Sequence, residues 1–225
     1  MNNKNRDMKK NWIYSIALPV LFLVSCGGAE DANEVKKEAP GATPETSQTV
    51  PTYSAVEGTE VIKWTGFKLA EKVGVDGKFE TFEVSGYNQE AVTISELMKE
   101  VTISMDITSV KTGDESRDGK VIKSFFGTMD ESSVLKAKVL TFNEDGTATI
   151  AINMNNQIIE RAMTWELYKE TSLTLSGNIN VPDWGAQPSL DSLNVVCEAK
   201  HKGEGDLAIT WPDVDISATV NVVKK

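Results

Sequence analysis

The chain has 225 residues, a formal net charge of −10 and a single histidine. Acidity of this degree gives no electrostatic case for nucleic acid or for anionic lipid head groups, so no nucleic-acid partner is expected. His201 alone would have to carry any histidine-rich zinc site or Ser-His-Asp triad, which removes much of hydrolase chemistry.

Lys4, Arg6, Lys9 and Lys10 precede Trp12 to Val24, a run of 13 uncharged, mostly apolar residues. A basic start, a short apolar stretch and small residues at its end describe an export signal. The stretch is too short for a bilayer span, which takes about 20 residues in a helix. It ends in Leu23-Val24-Ser25-Cys26, which resembles the lipobox of bacterial lipoproteins. The resemblance implies that residues 1–25 are a signal peptide and that Cys26 becomes an acylated amino terminus. Several acyl chains on one residue anchor a protein stably. The expected location is the cell envelope, lipid-anchored at the outer membrane, with the membrane itself as a partner.

Residues 26–52 begin with that cysteine and continue without an aromatic side chain. Such a segment buries too little apolar surface to offset its ordering entropy and reads as a flexible tether. The folded domain is expected to span residues 53–225. With Cys26 acylated, Cys197 has no disulfide partner and reads as a small buried hydrophobe.

Within the domain the dominant period is two. Glu60 to Leu69 and Lys78 to Gly86 are strand-like in composition, and Asp76-Gly77 between them looks like a turn. A turn or two of helix is expected near Ser95 to Lys99. Val101, Ile103, Met105 and Ile107 then alternate with polar residues. A short helical segment is expected within Lys120 to Phe126. Asn143-Glu144-Asp145-Gly146 is a hairpin turn, since Asp-Gly suits its positive φ positions. Ile150, Ile152 and Met154 alternate, as do Met163, Trp165 and Leu167, and then Leu173, Leu175 and Ile179. Leu193, Val195 and Cys197 follow less cleanly. Lys200 to Gly205 reads as a loop that leaves His201 in solvent. Leu207, Ile209 and Trp211 alternate up to Pro212, which should mark a bulge or an edge. Ile216, Ala218, Val220 and Val222 close the series.

Strands with one dry and one wet face pair antiparallel and must close or pack as two sheets. The expected class is all-β: an antiparallel barrel of about eight strands with a short helical segment, a sandwich being second choice. The outward residues are Thr, Ser, Asn and Asp, so this is no membrane-spanning barrel.

Ser109-Val110-Lys111-Thr112, Arg117-Asp118 and the paired aromatics Phe125-Phe126 resemble the central signature of the YceI-like family. Gly77-Lys78-Phe79-Glu80-Thr81-Phe82 resembles its Gly-x-Phe-x-x-Phe element. Val61 to Phe67 stands where that family commonly has a histidine-bearing first strand. The resemblance implies a lipocalin-like barrel of exported bacterial proteins, some of which hold a polyisoprenoid chain.

The expected activity is non-catalytic binding of a long apolar molecule or lipid, such as an isoprenoid, with no required cofactor. The alternative is a filled barrel acting as a structural or interaction module. Barrels of about eight strands either fill with side chains or hold one small ligand. The candidate lining is Trp64, Phe79, Phe82, Ile103, Met105 and Phe126 from the first half. The second half adds Ile152, Trp165, Leu175, Trp211, Ala218 and Val220.

Three motifs are set aside. Asp114-x-Ser116-x-Asp118-Gly119 begins like an EF-hand loop, but Phe125 stands where the bidentate Glu belongs. Arg117 is expected to pair with a nearby carboxylate instead. Gly203-x-Gly205-x-x-Ala208 leads into a strand rather than a helix, so it is a turn. Asp213 and Asp215 share a wet strand face, where carboxylates make poor catalysts.

Overall fold

The structure, a computed structural model, describes residues 50–131, 133–203 and 207–225. The signal segment, Cys26 and residues 27–49 of the tether lie outside the described residues.

The chain forms one sheet of ten antiparallel strands. They are β1 (Tyr53–Lys68), β2 (Val73–Phe79), β3 (Phe82–Ser85), β4 (Thr102–Asp106) and β5 (Val110–Lys111). The second half adds β6 (Val134–Phe142), β7 (Thr147–Met154), β8 (Gln157–Tyr168), β9 (Ser172–Asn180) and β10 (Thr210–Lys224). Ten strands make eight runs. β2 and β3 are one run bent at Glu80-Thr81, and β4 and β5 are one run interrupted by the turn Ile107–Ser109. Backbone bonds cross both bends, Glu80 N to Ser109 O at 3.1 Å and Asp106 N to Thr81 O at 3.0 Å. β2 pairs with β1 and β5, β3 pairs with β4, and β4 pairs with β6. The remaining runs pair in order from β6 through β10 back to β1, so the ring closes. Closure removes the unpaired edges that an open sheet would expose.

The alternation expected in the sequence faces this ring inward. Met105, Ile150, Ile152, Met154, Met163, Leu173, Leu175, Ile179, Val220 and Val222 are all buried. Two hairpins turn on consecutive residues with positive φ: Asn155-Asn156 between β7 and β8, and Lys169-Glu170 between β8 and β9. The turn at Asn143–Gly146 joins β6 to β7 as expected, with Gly146 at φ 85°. Pro212 sits where the β1–β10 register slips between Gly66 and Lys68, which is a bulge.

Short helices cover both ends. α1 (Ile94–Met98) caps the end near Tyr53, with Ile94, Leu97 and Met98 buried. Thr93 caps it by accepting from Glu96 N, and Glu96 accepts in turn from Val92 N, one residue before the cap. At the opposite end, α2 (Glu115–Lys120) continues through wide and tight turns to Thr128 and packs on α3 (Gln187–Val196). α4 (Glu198–His201) follows.

Three expectations fail. Leu193, Val195 and Cys197 are not a strand: α3 runs through the first two and ends on Cys197 as its C-cap, with Pro188 in its first turn. Leu190, Leu193 and Cys197 lie inward at helical spacing, whereas Val195 is 72% exposed. Asp76-Gly77 is not a turn. It lies inside β2, with Gly77 opposite Trp64, and the β1–β2 turn falls at Leu69–Lys72. Leu207 and Ile209 precede the last strand instead of belonging to it, and Leu207 is exposed.

Candidate functional site

The ring encloses space. One cavity of about 140 Å³ lies between β1, β4, β6, β7, β9 and β10, walled by Ile62, Trp64, Ile103, Ile152, Leu175 and Ala218 among others. A second of about 140 Å³ lies towards the α2–α3 end, walled by Phe67, Phe125, Phe126, Leu190, Trp211 and Val214 among others. Trp64, Phe79, Leu135, Met154, Ile179 and Ile216 line both, so the two adjoin.

Of the twelve residues expected to line a site, Trp64, Phe79, Ile103, Met105, Ile152, Leu175, Ala218 and Val220 line the first cavity. Phe126 and Trp211 line the second. Phe82 and Trp165 are drawn elsewhere, packing on the core away from both walls. Trp165 stacks on Phe142 at 5.0 Å between ring centres, and its Nε1 donates to Asn143 O at 2.8 Å. An indole that can satisfy its N–H on a nearby turn is anchored there. Sequence reading missed Leu190, on a helix whose later residues were expected to alternate as a strand, and Tyr87, in an unpatterned segment. The Tyr87 hydroxyl donates to Glu60 at 3.3 Å at the rim of the first cavity. Burial, then the charge of Glu60, pushes its phenol well above the ordinary range, so it remains a neutral donor.

Trp64 stands where the spaces meet. Its six-membered ring lies against Gly77, and a Cβ there would come within 2.2 Å of it. The indole N–H is buried and finds no acceptor among the described residues.

A third recess of about 90 Å³ opens beside the second cavity. Trp64, Gly66, Phe67, Val121, Leu193 and Thr210 are common to both. Its remaining walls carry Lys68, Arg117, Lys120, Lys200 and His201. Among the described residues Arg117 pairs with no carboxylate, contrary to expectation. It donates through Nε to Thr112 Oγ1 and through Nη2 to Thr112 O, both at 2.8 Å. Asp118 is buried and accepts from Thr112 N and Oγ1, and Asp114 accepts from Arg117 N at the start of α2. Both acids of the calcium-like sequence are thus occupied in holding the loop. His201 is not a solvated loop residue either. It ends α4 half-buried, with Nδ1 2.8 Å from Thr210 Oγ1. Burial, then the charges of Lys68 and Lys120, holds its imidazole below the usual range. Asp213 and Asp215 do face away from the cavities, towards Lys72 and Asn178 respectively. Cys197 is buried and unpaired.

Comparison with known proteins agrees with this architecture. No family model matches the chain, and no curated protein matches it in sequence. Among solved structures, the chain is similar to a polyisoprenoid-binding domain from Saccharophagus degradans. The two are 13% identical with a TM-score of 0.52, covering 78% of this chain and 99% of that one. It is similar to Burkholderia cenocepacia BcnA at 12% identity and a TM-score of 0.52, covering 76% and 99% of the two chains. A Campylobacter jejuni YceI protein aligns over 68% of this chain and 85% of its own, at 14% identity and a TM-score of 0.44. At these identities the likeness is one of fold. The molecule is an all-β antiparallel barrel with an apolar interior. Its fold is the one shared by that polyisoprenoid-binding domain and BcnA, in keeping with the barrel that the signature around Arg117-Asp118 implied.

Proposed function

We propose that the barrel binds a long apolar molecule, such as an isoprenoid lipid, without catalysis. The observation that carries this reading is the pair of adjoining apolar cavities meeting at Trp64. Each is close in volume to an engineered apolar cavity of about 150 Å³ that takes up benzene. Together they suit a chain of roughly a dozen carbons, with anything longer reaching the ends of the barrel. A polyisoprenoid-binding domain of the same fold supports the choice of ligand class. The residues assigned to binding are the ten that line the two spaces, from Trp64 to Val220.

The test is to fill the space from one side. Ala218→Phe projects into the first cavity, whereas Thr219, although it also borders that cavity, has the opposite strand parity and directs its hydroxyl to Thr174 at 3.0 Å. Once both variants are shown to fold, Ala218→Phe should retain less lipid than Thr219→Phe. Equal retention would sink the assignment.

The proposal includes the setting. Acylated Cys26 would hold the barrel at the outer membrane, on the strength of Leu23-Val24-Ser25-Cys26. Cys26→Ala should move the protein from the membrane fraction to a soluble or unprocessed form. A variant that stays processed and membrane-bound would end this part of the reading.

A further inference from the structure

The recess beside the second cavity is out of character with the rest of the molecule. The chain is acidic, with a net charge of −10. Yet the recess gathers Lys68 from the end of β1, Arg117 and Lys120 from α2, and Lys200 from α4, and no carboxylate is among the described residues that line it. Lys200 reaches Asp114 at 3.6 Å, but Lys68 and Lys120 meet no carboxylate within 4 Å among the described residues. Like charges held this close repel, an arrangement that an anion would relieve. Burial first, and then the charges of Lys68 and Lys120, favour the neutral form of His201 on the same wall. Net charge is blind to such clustering, which is why the acidity of the chain does not exclude an anionic ligand group here.

The recess also adjoins the apolar interior. Phe67, Val121 and Leu193 wall it on one side and the second cavity on the other. A cationic pocket opening onto an apolar one matches an amphiphile, with its polar end outward and its chain within.

We infer that the molecule held in the barrel carries an anionic oxyacid head, a carboxylate or a phosphate, seated among Lys68, Arg117, Lys120 and Lys200. This inference rests on the apolar-binding reading and narrows it from any apolar chain to an acidic lipid. Lys68 and Lys120 supply charge. Arg117, fixed by its two bonds to Thr112, supplies a positioned donor set, since guanidinium suits planar and tetrahedral oxyanions alike.

The test offers the full chain four probes: palmitate, hexadecyl phosphate, hexadecanol and inorganic phosphate. The two anionic chains should bind about tenfold or more tightly than hexadecanol, the scale of one hydrogen bond to a charged group. Added salt should weaken their binding and spare that of hexadecanol. Whichever anionic chain binds more tightly identifies the head. Lys68→Glu with Lys120→Glu should remove the preference and leave hexadecanol binding unchanged. Lys136→Glu, on the exposed outer face of β6, should change nothing. Equal affinity for palmitate, hexadecyl phosphate and hexadecanol, or a preference that survives the double charge reversal, would overturn the inference while leaving apolar binding intact. Inorganic phosphate binding as tightly as hexadecyl phosphate would overturn it too, by making the recess an anion site independent of the barrel. Failure of all three chains to bind would overturn the apolar reading and the inference together.

Discussion

Gly77 and Trp64 sit opposite each other across β1 and β2, and the indole occupies the space that a side chain at position 77 would need. A Cβ on Gly77 would come within 2.2 Å of the ring, closer than non-bonded atoms approach. Gly77→Ala should therefore destabilise the barrel by about 1–3 kcal/mol, the usual range for overpacking. The same change made with Trp64→Ala should cost clearly less, because the clash has gone. Denaturant unfolding of the four proteins measures this coupling. Additive effects would mean that the two residues do not meet.

The inward and outward faces of β4 give a second test. Ile103 lines the first cavity, and Ser104 has the opposite parity. Ile103→Asp places a carboxylate among apolar side chains and should cost several kcal/mol, of the order of a domain's whole stability. Ser104→Asp should cost roughly 0.5 kcal/mol or less. Similar melting temperatures for the two would reverse the assignment of faces.

The β8–β9 turn is strained by its sequence. Lys169 and Glu170 hold φ of 50° and 58°, and Thr171 N closes the turn onto Tyr168 O at 3.1 Å. Two positive φ values in succession favour Asn-Gly. Left-handed backbone costs an ordinary L-residue about 1–2 kcal/mol. Lys169→Asn with Glu170→Gly should raise stability by roughly 1 kcal/mol, read as a higher denaturation midpoint at unchanged slope. A lower midpoint would contradict the turn geometry.

His201 predicts a pH dependence. Its imidazole is held below the ordinary value in the folded protein, so the unfolded chain binds the proton more readily. Its contribution to stability therefore falls as pH drops through the ordinary imidazole value of about 6.5 and on towards the lower folded one. Denaturation between pH 7.5 and 5.5 should show this loss, and His201→Gln should reduce it. Identical losses in the two proteins would mean that His201 does not titrate as its surroundings require.

The barrel was legible in the sequence because its strands are one-sided. Ile150, Ile152 and Met154, or Leu173 and Leu175, alternate cleanly and are buried. The failures come where local pattern is ambiguous or tertiary contact decides. Leu190, Leu193 and Cys197 carry a helical stripe too short to separate from alternation, and only Pro188 hinted at the helix start. Gly77 mimics a turn residue, but the indole across the sheet is the reason for it. The cavity walls could be read from strand parity. The cationic recess could not: Lys68, Lys120 and Lys200 come from three elements far apart in the chain and meet only when the barrel closes.

The central claim is that the folded barrel holds an apolar chain, and the direct measurement is mass spectrometry of organic extracts. A shortened protein beginning at Tyr53 keeps every pairing of the barrel and leaves out the signal, Cys26 and the tether. Any lipid it carries must then sit in the barrel. Purified from a bacterial host, it should yield an extractable apolar chain approaching one per barrel, and Ala218→Phe should lower that yield. A barrel that carries no lipid, and takes up none when offered, would contradict the account.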